Sequence, residues 1–211
     1  MCHVNDVFRN QKNNEQPFQK VMKESIHINK TFSKVIYTEE SVKNREFENC
    51  TFIDCDLYGS DFSQSQFLDC TFKGCNLSMV KLNSTSLKNV EFDECKLMGI
   101  PFEYCDDFLF EVKFKSCVLD FCSFANKKML KTKFANCSMQ EVNFSGTNLS
   151  KSNFDDVNLN GALFDKTNLS EADLSKAYNF SIDPELNSVR KAKFSLKDAG
   201  GLLEKYNLKL I

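Results

Sequence analysis

The sequence predicts an all-β solenoid, a chain wound into coils of four short sides, and two regularities carry that prediction. A large apolar residue returns at every fifth position. Phe47, Phe52, Leu57, Phe62, Phe67, Phe72 and Leu77 open a series that slips once by two, then runs through Phe114, Leu119, Phe124, Met129 and Phe134 to Leu174. Fifteen of the 21 Phe keep this beat between Phe32 and Phe194, too many for scatter along an irregular chain. A period of five is neither the 3.6 of an amphipathic helix nor the 2 of an alternating strand, so it marks an internal repeat. Stepping by twenty then sorts the beat into four columns. One is nearly all Phe (Phe32, Phe52, Phe72, Phe92, Phe114, Phe134, Phe154) and another is mostly Leu (Leu57, Leu77, Leu97, Leu119, Leu159). Independent pentads would not sort in this way. Four pentads therefore make one coil, and like stacks on like.

The position two before each beat is a second inward site. It is filled by small or slim residues such as Cys55, Ser60, Cys75, Val80, Thr85, Cys117, Thr147 and Ala172, with Lys127 as the exception. Together with the beat, the stretches NCTFIDCDLYGSDF (residues 49–62), GTNLSKSNF (146–154) and EADLSKA (171–177) resemble the pentapeptide-repeat family, whose motif is roughly A(D/N)LXX. The resemblance covers about three quarters of the chain. It implies a right-handed quadrilateral β-helix of about eight coils, expected over residues 31–195.

Composition narrows the rest. Net charge is −2, so bulk charge points to no direct nucleic-acid binding and no membrane surface. No apolar run reaches the ~18–20 residues of a membrane span, and the polar N-terminus shows no secretory signal. A cytoplasmic location is expected. Ten cysteines raise the question of disulfides. Nine lie at second inward sites, where stacked side chains point the same way and suit packing better than S–S bonds. Reduced core thiols are expected. Their spacings match no zinc pattern.

In chain order, residues 1–30 lie off the beat and read as an N-terminal arm or cap, with His3 and His27 solvated. Phe32, Tyr37 and Val42 start the first coil. The phase slip falls at Asp106, Asp107 and Phe108, a candidate recognition bulge, with Leu109 as the first inward residue of the new phase. Lys127 is expected to snorkel its ammonium out of the wall. With Lys113, Lys115, Lys128, Lys131 and Lys133 it makes a basic patch facing Glu91, Asp93 and Glu94. Asn143, Asn148, Asn153, Asn158 and Asn168, just before the beat, are expected to form hydrogen-bonded ladders. After Phe194 the period ends. Residues 196–211 read as a C-terminal cap, a short helix over Asp198–Tyr206 followed by a strand over Leu208–Ile211, covering an end that would otherwise template strand pairing.

No Ser/His/Asp set, phosphate-cradling glycine loop or metal cluster emerges, so neither an enzyme nor a cofactor is expected. Function must lie on the outward walls. The third shows Tyr58, Met79, Met98, Phe121, Tyr178 and Phe180, edged by Asp120 and Glu141, and is the candidate partner-binding face. A non-enzymatic scaffold with a protein partner is the main expectation. The C-terminal cap and mid-helix phase break resemble those of quinolone-resistance (Qnr-type) members. That resemblance implies a homodimer through Leu202, Leu203, Tyr206, Leu208, Leu210 and Ile211. It also implies, as an alternative role, mimicry of DNA toward a type II topoisomerase.

Overall fold

The computed structural model describes residues 24–209. Short strands recur at the beat: β1 (Ile26–Ile28), β2 (Thr31–Ser33), β3 (Glu46–Glu48), β4 (Thr51–Ile53), β5 (Gln66–Leu68), β6 (Thr71–Lys73), β7 (Ser86–Lys88), β8 (Val90–Asp93), β9 (Val112–Lys115), β10 (Lys133–Ser138), β11 (Asn153–Asn158), β12 (Asp173–Leu174) and β13 (Lys193–Phe194). They stack into two parallel sheets. One holds β1, β3, β5 and β7; the other runs through nine strands, from β2 to β13. Register follows the twenty-residue period, with Phe47 against Phe67, Phe52 against Phe72 and, across the slip, Phe92 against Phe114. The other two sides are joined by single parallel bridges such as Asp56–Asn76 and Asp61–Lys81. Eight steps of ~4.8 Å make a rod about 40 Å long.

The corners have a common cause. The residue two after nearly every beat adopts a left-handed backbone, as at Asn49, Asp54, Asp69, Asn89 and Asp156, with Tyr104 and Lys176 as exceptions. Asn and Asp tolerate that conformation better than most L-residues, for which it costs about 1–2 kcal/mol. In exchange, each corner N–H points along the rod. Asn49 donates to the Leu68 carbonyl at 2.9 Å and Asp54 to that of Lys73 at 2.8 Å. Inside, the Phe column is a ring ladder: Phe52 and Phe72 stack at 4.5 Å and 8°, Phe114 and Phe134 at 5.6 Å and 3°. Where a second inward site carries a hydroxyl or a thiol, that group can reach a carbonyl of the coil below. Thr147 and Thr167 donate to Phe124 and Phe144 at 2.8 Å, and the Cys75 thiol to Phe52 at 3.4 Å. The nine described cysteines are free and buried. Burial pushes the Cys105, Cys122 and Cys137 thiols up to about 12.

The winding starts earlier than expected. His27 lies twenty residues before Phe47, pairs with it in register and is buried, not solvated. Its ring stacks on Phe47 at 4.8 Å and meets Phe32 edge-on at 5.7 Å. His3 lies outside the described residues. Neither His27 ring nitrogen has a hydrogen-bond partner among the described residues. Burial first, then the Lys30 ammonium, holds its pKa below the ordinary histidine value, with Glu24 acting weakly the other way. As pH falls through the range where the unfolded histidine binds a proton, the folded one resists it, and stability present above that range is lost. The melting temperature should therefore drop between neutral and mildly acidic pH, and His27→Phe should flatten that drop. An unchanged pH profile in the variant would show that His27 does not titrate with folding.

Other expectations also need correction. Leu109 does not enter the core; it forms an exposed left-handed turn, and Phe110 turns partly inward instead. Lys127 does not snorkel to solvent. It is 2% exposed, and its ammonium donates to the Cys105 carbonyl and pairs with Asp107 at 2.6 Å. The reason is steric: Asp107 occupies a beat position of the old phase and turns out, and Lys127 from the next coil fills the space, 5.2 Å from the Phe110 ring centre. Asn143, Asn148 and Asn168 make no ladder. Each side-chain oxygen accepts the N–H two residues on, a local bond that outcompetes stacking. Asn158 makes the same local bond and also accepts the Asn179 side-chain amide of the next coil at 3.0 Å. Elsewhere side-chain amides bond along the rod from Asn49 to Asn29, Asn89 to Asp69 and Asn76 to Asp56.

At the C-terminal end, Asp198–Tyr206 is not an α-helix but two 3-10 turns, Ala199–Leu202 and Glu204–Tyr206. Gly201 presses on Phe180, where an added Cβ would lie 2.0 Å from the carbonyl oxygen. Its own carbonyl accepts the Ile182 N–H at 2.9 Å. Leu208 and Lys209 are not in a strand, and Leu210 and Ile211 lie outside the described residues. Phe180 leaves the third wall, being buried and tilted against Phe194 at 5.4 Å.

Candidate functional site

The third wall is built by the turns that follow the mostly Leu column of Leu57, Leu77, Leu97, Leu119 and Leu159. Their N–H groups run along the rod: Gly59 to the Ser78 carbonyl, Met79 to Met98, Gly99 to Asp120, Phe121 to Gln140 and Glu141 to Asn160, at 2.9–3.0 Å. This ladder holds the turns in register. It brings Tyr58, Met98, Asp120, Phe121 and Glu141 into one row, with Tyr58 and Phe121 about three coils, ~14 Å, apart. Tyr58, Met79 and Phe121 are exposed, while Met98 and Asp120 are half-buried. Asp120 is tied down: its Oδ1 accepts the Ser138 hydroxyl at 2.6 Å and the Gln140 N–H at 2.9 Å. Tyr178 stands apart from the row. It ends a neighbouring ladder through Ser138 and Asn158, and with Asn136, Asp156 and Asn158 lines a shallow polar depression of about 320 Å³.

Sequence reasoning missed how the row is shaped. Its left-handed positions read Glu39, Gly59, Met79, Gly99, Phe121, Glu141 and Gly161. A Cβ on Gly99 would lie 2.6 Å from the Met79 sulfur, one on Gly161 3.1 Å from Glu141 Cγ, and one on Gly59 3.2 Å from Glu39 Cγ. Glu39, Met79 and Glu141 thus each lean across a glycine of the next coil, while Phe121 is followed by Glu141. The clue in the sequence is a glycine two places after the beat at Gly59, Gly99 and Gly161. The result is a ridge of outward side chains, with Tyr58, Met79 and Phe121 its exposed apolar knobs, on a wall without a cleft. No cluster of three or more His, Cys, Asp or Glu side chains suited to a metal ion occurs among the described residues. No helix among them is long and apolar enough to cross a membrane.

Asp106, Asp107, Phe108 and Leu109 form a continuous exposed run at the slip, with Phe108 66% and Leu109 61% exposed. At the C-terminal end Leu202 packs half-buried on the chain's own core, leaving Leu203, Tyr206 and Leu208 exposed. Tyr206 is anchored through its hydroxyl, which donates to Glu185 at 2.9 Å. Lys205 beside it pairs with Asp183 at 2.8 Å and Glu185 at 2.7 Å.

Comparison with known families settles what this winding is. A pentapeptide repeat region matches residues 45–120, and a model of nine pentapeptide repeats matches residues 130–177, so together they span more than half of the chain. The chain belongs to the pentapeptide-repeat family. Among solved structures, this pentapeptide-repeat chain is similar to a trypsin-treated form of QnrB1, a plasmid-mediated fluoroquinolone resistance protein. The identity is 20%, covering 88% of this chain and 100% of that one, with a TM-score of 0.45. Full-length QnrB1 gives 19% identity, coverage of 87% and 100%, and a TM-score of 0.44. HetL, from the cyanobacterium Nostoc and involved in heterocyst differentiation regulation, gives 13%, coverage of 88% and 94%, and 0.31. No curated protein sequence matches the chain.

Proposed function

We propose that this pentapeptide-repeat protein is a cytoplasmic, non-enzymatic scaffold that binds a protein partner through its third wall. The ridge of Tyr58, Met79 and Phe121 carries the proposal. Large apolar side chains held at fixed spacing on rigid turns lose little conformational entropy on docking, and Tyr and Phe contribute most per residue. Asp120 and Glu141 supply a polar edge. Nine free buried thiols suit a reducing compartment. The DNA-mimicking role toward gyrase or topoisomerase IV asks for rows of carboxylates in place of phosphates, whereas this chain sets 27 Lys and Arg against 29 Asp and Glu.

The test is capture of partners from the native host by the wild-type protein and by a Tyr58→Ser/Phe121→Ser variant with an unchanged circular-dichroism spectrum. A partner held by the wild type and lost by the variant is expected. Equal recovery by both would remove the third wall as the site. We also propose a homodimer through Leu203, Tyr206, Leu208, Leu210 and Ile211, with Leu202 supporting from below. Light scattering should give twice the chain mass of 24.2 kDa, and a single-chain mass would refute it.

A further inference from the structure

The phase slip creates a second surface, opposite in charge character to the third wall. Phe108 and Leu109 stand out from the bulge, and Leu130 stands out one coil above, 52% exposed. Regular corners bury their beat residue. Here the beat falls on Asp107, which turns out to meet Lys127, and the apolar residues after it are carried to the surface. The Lys88 ammonium lies 5.1 Å from the Phe108 ring centre.

Lysines frame these knobs, and two of them face the acids of the coil below as the sequence suggests: Lys113 stands opposite Glu91 and Lys115 opposite Asp93 in the β8–β9 ladder. Only Lys115 pairs with that cluster, at 3.2 Å from Asp93, while Lys113 donates to Asn89. Lys128, Lys131 and Lys133 are exposed, and their ammonium groups have no hydrogen bond or ion pair among the described residues. Lys133 sits directly beside Lys113 in the β9–β10 ladder, a like-charge neighbour pair that costs stability unless something neutralises it. The exposed carboxylates nearby are Asp106, Glu111 and Glu91, the last opposite Lys113 on the side away from Lys133, since Asp107 is taken by Lys127.

We propose that this surface docks an acidic polypeptide segment bearing large apolar side chains. Carboxylates of the segment meet Lys128, Lys131 and Lys133, and its apolar residues pack on Phe108, Leu109 and Leu130. The charge complementarity selects an anion, and three adjoining apolar side chains select a polypeptide over a bare phosphate chain. The site is separate from the third wall, so the two readings stand or fall independently.

The probe is a short fluorescein-labelled peptide in which Asp and Glu alternate with Leu and Phe, followed by anisotropy with the full chain. Binding should weaken as salt is raised. It should fall about tenfold or more in Lys131→Glu/Lys133→Glu and again in Phe108→Ser/Leu130→Ser, and stay unchanged in Tyr58→Ser/Phe121→Ser. All the substituted side chains are exposed, so folding should be retained, as circular dichroism would verify. Three comparators complete the experiment: a peptide of Glu and Ser with the same charge, an oligothymidylate, and phosphatidylserine vesicles. Equal binding of any of the three, or wild-type affinity in both slip variants, would overturn the proposal.

Discussion

Phe114→Ala should cost about 3–5 kcal/mol of stability, as for other buried Phe truncations. It should also split the unfolding transition in two. Phe114 is 1% exposed and stacks on Phe92 at 5.3 Å and Phe134 at 5.6 Å, with Phe102 and Phe124 edge-on at 6.0 Å. Its position matters as much as its contacts. The sheet of β1, β3, β5 and β7 stops below the slip, whereas the nine-stranded sheet crosses it at β8–β9. Phe114 is the core residue of that crossing. A solenoid's stability is close to a sum of coil terms and nearest-neighbour interfaces, so weakening one interface uncouples the coils on either side. Guanidinium titration followed by circular dichroism should show one transition in the wild type and two in the variant. A single transition with an unchanged midpoint would show that the halves are joined elsewhere.

The second large effect concerns Asp107 and Lys127. Asp107→Ala leaves a buried ammonium with one carbonyl partner and should destabilise the fold by about 1–3 kcal/mol, below the full cost of breaking a buried pair because the carboxylate itself is largely exposed. Lys127→Met keeps a long apolar stem in the space beside Phe110 and removes the charge. In that background Asp107→Ala should cost almost nothing. The double-mutant cycle measures this directly, and additive effects would mean that the pair does not hold the slip together.

The winding itself was legible because the core repeats chemistry at a fixed interval. Phe52, Phe72 and Phe92 could be stacked on paper as they stack in the rod. What escaped were the places where two principles compete. Leu109 and Phe110 are both apolar, and periodicity cannot choose between neighbours; Asp107 chooses, because its carboxylate must turn out and the tight turn then falls on Leu109. His27 reads as solvated because it is a lone histidine outside any cluster, although stepping back twenty from Phe47 lands on it. The asparagines were expected to bond along the rod, but an amide two bonds from its own backbone finds the nearer N–H first. At the C-terminus helix propensity was outweighed by Gly200 and Gly201, one of which has to lie against Phe180. On the third wall the aromatic residues could be placed from phase alone. The ridge they form could not, because it depends on which left-handed positions carry glycine.

That dependence bears on how such a rod can lengthen. Copying a single coil would preserve every inward contact, since each column continues unbroken. On the third wall the outcome depends on which coil is copied: a second copy of the Met79 coil would set a long side chain where Met79 now rests on Gly99, whereas Phe121 and Glu141 already stand on successive coils with no glycine between them. For the core any coil will serve; for this wall the coil that is copied decides where the knobs stand.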